Sequence, residues 1–148
     1  MIIRQMQKKD IPEVKRVTAS CLKALFKCKT KNLGNYADDI VRFKEAYLDK
    51  GGTYLVAVDK GKIIGTAAIV PEKGKGRIHK MYLLKKYRGK GVGSALYNEI
   101  EKFCKKKGFK ELILSTYPHF KEAIKMYKAK GFRQFKKTEK QLFFRKRI

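Results

Sequence analysis

A glycine-rich run in the second half of the chain is the segment best suited to bind a ligand. It extends from Tyr87 to Leu96 and has the sequence YRGKGVGSAL. Glycines let the backbone approach a ligand closely, and the first N–H groups of a following helix are unpaired donors at the positive end of its dipole. Arg88 and Lys90 add two full positive charges. This chemistry suits an anion, and we expect a phosphate or pyrophosphate.

The spacing of the glycines distinguishes between kinds of phosphate-binding loop. Gly89, Gly91 and Gly93 are two residues apart, which does not match the Gly-x-Gly-x-x-Gly of a dinucleotide-binding loop. A P-loop requires Ser or Thr after its Gly-Lys pair, whereas here Lys90 is followed by glycine. The pattern that fits is Arg-x-x-Gly-x-Gly, which begins at Arg88. A glycine-rich turn without a ligand is the alternative that the run alone leaves open.

The Arg-x-x-Gly-x-Gly run resembles the loop that binds the pyrophosphate of acetyl-CoA in the GCN5-related N-acetyltransferases (GNAT). A second segment supports the resemblance, because Ala123 to Phe132 is similar to the Ala-x-x-x-Tyr-x-x-x-Gly-Phe segment near the end of those proteins. Residues 2–12 and the hairpin over 54–69 look like the family's first strand and helix and its central hairpin. On these motifs the chain is identified as a member of the GNAT family, with 1–148 as a single N-acetyltransferase domain.

The resemblance implies acetyl-CoA as the cosubstrate and suggests where it is held. In the family, two neighbouring parallel strands splay apart, and the pantetheine arm pairs with the exposed strand edge. The best single candidate for that pairing in this chain is the backbone of Leu83, and the N–H groups of the loop would hold the pyrophosphate. The full set of expected cofactor-binding residues is Met81, Tyr82, Leu83, Arg88, Gly89, Lys90, Gly91, Val92, Gly93 and Ser94.

Two residues are the expected catalytic groups. Tyr127 occupies the family's tyrosine position and would act as general acid, because a phenol of pKa ~10 can protonate a departing thiolate whose thiol has a pKa of ~8.5. His79 would act as general base, and strand alternation places it on the same face as Met81 and Leu83. The alternatives are a tyrosine that only packs against the cofactor, a histidine that only lines the substrate site, and an amine that loses its proton through ordered water.

One position departs from the family pattern. Members often have Asn three residues before the Ala of the last helix, where this chain has Phe120. The contacts of that asparagine to pantetheine or to the helix start are therefore lost or supplied by another side chain. Ser115, Thr116 and His119 are the candidates to replace it.

The net charge is strongly positive. Among 148 residues, 38 Lys and Arg stand against 13 Asp and Glu, for a formal charge of +25. The lysines are spread along the chain and the aromatic residues fall at core-like spacings, so nucleic acid is not expected beyond nonspecific attraction. The expected partner is a small-molecule or protein amine acceptor, acidic or neutral rather than a polyamine. The alternatives are a noncatalytic acyl-CoA-binding regulatory module and a basic nucleic-acid-associated protein.

The rest of the composition argues against several other classes of site. Cys21, Cys28 and Cys104 lack Cys-x-x-Cys spacing, and the two histidines are far apart, so no metal site is expected. No apolar run approaches the ~20 residues of a membrane span, and the N-terminus lacks a signal-peptide pattern. A cytoplasmic protein without membrane contact is therefore expected. The resemblance also allows a homodimer, which the sequence itself does not show.

The predicted elements give a mixed α/β order. Asp10 is expected to cap the first helix, and Pro71 to Gly76 to form a loop. Strands are predicted at 2–6, 53–59, 62–70, 77–84, 112–116, 132–137 and 141–147, and helices after Asp10 and at 36–50, 92–107 and 120–130. The expected fold class is α/β (α+β), the GNAT acyl-CoA N-acyltransferase fold. Its mixed sheet has about six to seven strands and about four flanking helices, with a parallel pair beside the helix at 92–107.

Overall fold

The structure, a computed structural model, describes residues 1–26 and 34–148, apart from the side chains of 24–26 and 34–36. Cys28 and the other residues of 27–33, between the first two predicted helices, lie outside the described residues. The strands are β1 (Ile2–Gln5), β2 (Thr53–Asp59), β3 (Lys62–Glu72), β4 (Lys75–Leu83), β5 (Glu111–Thr116), β6 (Arg133–Lys137) and β7 (Leu142–Arg147). The α-helices are α1 (Ile11–Phe26), α2 (Gly34–Val41), α3 (Val92–Lys107) and α4 (Lys121–Ala129).

The seven strands form one mixed sheet in the order β1-β2-β3-β4-β5-β7-β6. Strands β1 to β4 pair antiparallel, β4 and β5 pair parallel, and β5, β7 and β6 pair antiparallel. The parallel pair is in register at two positions, Gly76 with Leu112 and Arg77 with Ile113. Beyond them β4 continues to Leu83 without pairing to β5, so the sheet opens into a cleft between these strands. This is the splayed parallel pair that the resemblance implies.

Two hydrophobic cores cover opposite faces of the sheet. The core below α3 and α4 buries Leu96, Ile100 and Phe144 completely. The core below α1 and α2 buries Val14 and Ile40 completely. Because successive strand residues point to opposite faces, central strands that are covered on both sides must be apolar nearly throughout. The strand β3, with seven consecutive buried residues, meets that requirement.

The loop predicted from Pro71 to Gly76 is instead part of a hairpin. Strand β3 continues through Pro71, which faces Gly76 on β4. The two turn residues, Lys73 and Gly74, have φ values of 51° and 78°. Positive φ at both central residues is what a two-residue hairpin turn requires, and Asn-Gly or Asp-Gly is its usual sequence. The Lys-Gly pair lacks that signal, and the flanking proline and glycine suggested a loop.

Asp10 is predicted as the cap of α1, but its carboxylate accepts hydrogen bonds from residues that precede it in the chain. It accepts a hydrogen bond from the Gln7 N–H at 2.8 Å and two from the Arg4 guanidinium at 2.7 and 3.0 Å. The hydrogen bonds from Arg4 are the main cause of the lowered pKa of Asp10. This buried carboxylate therefore joins β1 to the short 3₁₀ turn before α1.

The helix predictions differ in accuracy. The helix at 92–107 is confirmed as α3, and Gly108 follows it with a φ of 85°. The helix predicted at 36–50 is divided into α2 and a π-helical turn, Lys44–Leu48. No helix in the part of the chain that the structure describes is long and apolar enough to cross a membrane.

Candidate active site

The glycine-rich run forms the turn that leads into α3. Gly89 and Gly91 have φ values of 75° and 85°, in the left-handed region that residues with a side chain rarely adopt. A Cβ at either position would meet nothing within 4 Å, so glycine is required here by backbone conformation and not by space. Gly91 is the N-cap of α3, and among the described residues no side chain bonds to this helix end. The N–H groups of the first turn therefore face a possible ligand without a competing cap.

A cavity of about 580 Å³ lies between this loop, the end of β4 and the start of α4. We call it the loop cavity. Eight of the ten expected cofactor-binding residues line it: Met81, Tyr82, Leu83, Arg88, Gly89, Gly91, Gly93 and Ser94. Of the other two, Lys90 is exposed and Val92 is buried in the core. The lining also includes His119, a candidate replacement for the family's asparagine, and Cys21, for which the sequence analysis had no role in cofactor binding.

The backbone of Leu83 lies on the edge of β4 that faces the cleft. The neighbouring Leu84 N–H donates a hydrogen bond to the Ile64 carbonyl on β3 at 3.0 Å. The backbone N–H and C=O of Leu83 therefore point away from β3. The Leu83 carbonyl already accepts a hydrogen bond from Arg88 Nε at 3.0 Å and one from Cys21 Sγ at 3.4 Å. We therefore expect the Leu83 N–H, and not its carbonyl, to pair with a bound ligand.

The Arg88 side chain folds back onto the protein. Besides its bond to Leu83, its Nη1 atom lies 3.9 Å from Glu122 Oε2 at the start of α4. The guanidinium thus connects the loop, β4 and α4. In this position it links these three elements to one another.

A second cavity, of about 410 Å³, lies on the other side of the opening between β4 and β5. We call it the strand cavity. Both expected catalytic residues, Tyr127 and His79, line this cavity and not the first. The two cavities have four residues in common: Met81, Tyr82, Phe120 and Ala123. A group held in one cavity can therefore meet a group held in the other.

Tyr127 is almost completely buried at 5% exposure. Its ring packs at an angle against Phe132 with the ring centroids 5.6 Å apart. Burial raises the pKa of the phenol. The hydroxyl therefore keeps its proton at neutral pH, which is the state that a proton donor needs.

The prediction that His79 shares a face with Met81 and Leu83 is wrong. The His79 ring packs edge-on against Tyr47, with centroids 6.2 Å apart, on the side of α1 and α2. Met81 and Leu83 pack instead against the core below α3. His79 therefore lies on the wall of the strand cavity, away from the face that Leu83 presents.

A β-bulge in β4 is the physical reason for this difference. Thr66 pairs with Tyr82 but Ala68 pairs with His79, so β4 has one residue more than β3 in this interval. Within it Lys80 has a φ of 55°, which interrupts the alternation of side chains. Apolar periodicity does not reveal a bulge, and so the facing of His79 could not be predicted.

The pKa of His79 is lowered to about 4. The main cause is burial, followed by repulsion from Arg77 and Lys80. The imidazole is therefore neutral throughout the neutral pH range. It can accept a proton, but as a weak base.

Charged residues that the sequence analysis did not place together line the strand cavity. Lys80 has a side chain only 4% exposed, and its Nζ atom lies 3.7 Å from Asp39 Oδ2. Arg77 donates hydrogen bonds to Glu72 and to Ser115, each at 3.1 Å. The cations lie deeper than their acidic partners, since the side chains of both acids are over 40% exposed. The only signal in the sequence was a lysine within an apolar strand.

Phe120 lies between the two cavities and lines both. Its ring packs against Tyr117 and His119, with centroids 5.4 and 4.7 Å apart. Of the three residues considered as replacements for the family's asparagine, His119 lines the loop cavity, whereas Ser115 and Thr116 line the strand cavity. His119 is thus the candidate best placed on the cofactor side.

Comparison with known proteins relates this chain to a family. The model of the acetyltransferase (GNAT) family matches residues 19–132. N-acetyltransferase family 8 member 2 of Rattus norvegicus is 25% identical over 122 residues, which cover 77% of this chain and 54% of that protein. An uncharacterized N-acetyltransferase of Escherichia coli, YjgM, is 27% identical over 135 residues, which cover 88% of this chain and 81% of that protein. The chain therefore spans about half the length of the rat relative.

Solved structures share the fold over almost the whole chain. A GNAT-family acetyltransferase from Staphylococcus aureus has a TM-score of 0.89 at 22% identity, with 99% of this chain and 98% of that chain covered. The PaiA N-acetyltransferase of Thermoplasma acidophilum, solved with coenzyme A, has a TM-score of 0.81 at 22% identity and the same coverage. The expected fold class is confirmed by these structures. Together with the family match over most of its length, they show that this chain belongs to the acetyltransferase (GNAT) family.

Proposed function

We propose that this protein is an N-acetyltransferase that transfers the acetyl group of acetyl-CoA to a primary amine. The observation that carries the proposal is the junction of the two cavities at Met81, Tyr82, Phe120 and Ala123. Acetyl-CoA would occupy the loop cavity and the acceptor would occupy the strand cavity. The thioester and the amine would then meet at the junction, which is the proximity that a direct transfer needs.

The loop cavity offers hydrogen-bond donors for two parts of acetyl-CoA. The uncapped N–H groups at the start of α3 would bind the pyrophosphate, and Lys90 would add a positive charge at the mouth. The Leu83 N–H would pair with the pantetheine arm in the gap left where β5 separates from β4. The coenzyme A bound to the Thermoplasma relative supports this class of ligand.

Tyr127 is the proposed general acid. The neutral amine attacks the thioester carbonyl, an amide C–N bond forms, the C–S bond breaks, and the departing thiolate takes the phenolic proton. Burial raises the pKa of Tyr127, and the same dry surroundings raise the pKa of the thiol that forms. The pKa values of the phenol and of the thiol are therefore both raised, so the proton donor and the proton acceptor remain matched.

His79 is the proposed acceptor of the proton that the amine nitrogen loses. A base with a pKa of about 4 does not deprotonate a free ammonium group effectively. The acceptor would therefore bind as the neutral amine that is already present in solution. Once the C–N bond has formed, the nitrogen carries a positive charge and is more acidic. His79 lines the cavity where this nitrogen would lie.

The charges of the strand cavity favour one type of acceptor. Arg77 and Lys80 place two cations on its wall, with the acids that pair with them nearer to solvent. An acceptor that carries a carboxylate or a neutral polar group beside its amine suits this wall better than a polyamine does.

Thermal shift with acetyl-CoA, coenzyme A and ATP at moderate salt is the first test. We expect a shift specific to the coenzyme A species, lost in Gly91→Glu and kept in Gly61→Glu. Gly61 is a matched control, since its φ of 77° and its open surroundings resemble those of Gly91 but it lies in the turn between β2 and β3. An equal shift with ATP would show that the loop binds any polyphosphate, contrary to the proposal.

Thiol release during turnover with a panel of amines tests the chemistry. Tyr127→Phe should reduce kcat by about 10²- to 10⁴-fold while the KM for acetyl-CoA stays the same. Full activity in this variant would exclude the tyrosine as general acid. Specific binding of acetyl-CoA without thiol release for any amine would favour the noncatalytic module.

A further inference from the structure

The hairpin of β6 and β7 is strongly basic. Between Arg133 and Arg147 the sequence has seven Lys and Arg and a single acid, Glu139. All five residues of β6 are exposed, and β6 is the last strand of the sheet. The core below α1 and α2 includes no described residue of β5, β6 or β7. In the part of the chain that the structure describes, the core below α1 and α2 thus does not extend over this end of the sheet.

Most of these cations have no acidic partner. Lys146 points to the other face, where its Nζ atom lies 2.5 Å from Glu101. The other six form no ion pair with any described residue; they are Arg133, Lys136, Lys137, Lys140, Arg145 and Arg147. By contrast, Arg4, Arg77 and Lys80 are each paired with a carboxylate. The positive charge of the hairpin is thus left to solvent or to a ligand.

Two aromatic rings lie among these cations. Phe135 is 44% exposed and sits at a β-bulge in the pairing of β6 with β7. Its ring packs edge-on against Phe143 with the centroids 6.3 Å apart. The Arg145 guanidinium lies 5.0 Å from the centre of the Phe135 ring, and Lys136 Nζ lies 5.2 Å from that of Phe143. The expectation that the aromatic residues serve the core is therefore wrong for Phe135.

We propose that the β6–β7 hairpin binds single-stranded nucleic acid. The unpaired cations suit a phosphate backbone, and an exposed ring beside a guanidinium plane offers a surface on which unpaired bases stack. A second copy of this chain is a poor occupant, because it would bring two like-charged hairpins together. The proposal does not depend on acetyl transfer, since the hairpin lies apart from the loop cavity.

Fluorescence anisotropy with a labelled RNA of about 12 nucleotides tests the proposal, a length within the roughly 4 to 16 nucleotides that an OB-fold binds. The full chain is titrated at several salt concentrations, with single-stranded DNA of the same sequence and a duplex in parallel. We expect the single strands to bind more tightly than the duplex. A difference between RNA and DNA then shows which single strand is preferred. Tighter binding of the duplex would overturn the proposal.

A matched pair of variants separates the hairpin from the general charge of the protein. Lys136→Gln with Arg145→Gln removes two charges from the hairpin, and Lys102→Gln with Lys106→Gln removes two from the exposed side of α3. The hairpin variant should lose about tenfold or more in affinity, and its salt slope should fall by about 1.4. The α3 variant should lose less than about threefold. Equal losses would mean diffuse attraction and would overturn the proposal.

Phe135→Ala tests the stacking component. We expect the affinity for single-stranded RNA to fall about fivefold or more with the salt slope unchanged, and the affinity for poly-glutamate to stay the same. An unchanged RNA affinity, or an equal loss for poly-glutamate, would contradict a base-stacking surface and favour an acidic polypeptide. The thermal unfolding midpoint of each variant verifies that it is folded.

Discussion

Burial of His79 should make the stability of this protein depend on pH in a defined interval. The folded-state pKa is about 4, against 6.5 for the exposed ring. Below pH 6.5 the unfolded chain takes up a proton that the folded protein does not accept until the pH is near 4. Stability should therefore fall as the pH decreases from about 6.5 and level off near the folded pKa.

The size of the effect follows from the two pKa values. One pKa unit corresponds to about 1.36 kcal/mol, and integration between pH 7.5 and 5.5 gives a loss of about 1.3 kcal/mol. The ring is partly exposed to solvent, which screens part of this difference and leaves about 1 kcal/mol. His79→Gln should remove this component, because glutamine does not titrate.

Urea unfolding of the two proteins at pH 7.5 and 5.5 measures this difference. All other titrating groups are common to both, including the surface lysines, so their contribution cancels. The free energy of unfolding should fall by about 1 kcal/mol more in the wild type than in His79→Gln. An equal pH dependence of the two proteins would show that His79 titrates near its ordinary value and would refute the role of burial.

Three further predictions concern other parts of the structure. Gly91→Ala should lower the free energy of unfolding by about 1–2 kcal/mol, because it forces a side chain into the left-handed region. Gly93→Ala should be tolerated, since Gly93 has an ordinary φ and an added Cβ would lie 3.4 Å from Met126. Equal losses in the two variants would contradict the conformational argument. Asp10→Asn should cost about 1–3 kcal/mol at neutral pH by urea unfolding, a loss that disappears at pH below the lowered pKa of Asp10, where the wild-type carboxyl is also protonated. Lys146→Met should lower stability by about 1–3 kcal/mol in the same assay, because it leaves the Glu101 carboxylate without its cation, and adding Glu101→Gln should recover much of the loss.

The architecture was predictable because local signals agreed along most of the chain. The helix at 92–107 is bounded by glycines on both sides and was placed correctly. The glycine spacing also located the loop, and eight of the ten expected cofactor residues line one cavity. These successes depend on backbone conformations that few residues other than glycine adopt, which makes their spacing informative.

The predictions of which way side chains face failed where the strands are irregular. The bulge at Lys80 reversed the facing of His79, and the bulge at Phe135 exposed a ring that apolar spacing assigned to the core. The Lys73-Gly74 turn likewise uses a lysine at positive φ, which no propensity favours. The ion pair between Lys80 and Asp39 joins residues 41 positions apart, so only the tertiary fold brings it together.

The short parallel pairing of β4 with β5 also has a consequence for how the chain folds. Strands β1 to β4 all lie within residues 2–83, and β5 to β7 all lie within 111–147, so each half of the sheet is formed by one continuous part of the chain. The joint at Gly76 and Arg77 has two residue pairs, whereas every other strand pairing has at least four, so the joint should be the last part of the sheet to become stable. Pulsed hydrogen exchange during refolding should therefore show amides within each half protected before those at the joint. The cleft in which we propose that acetyl-CoA binds would then be the boundary between two folding units.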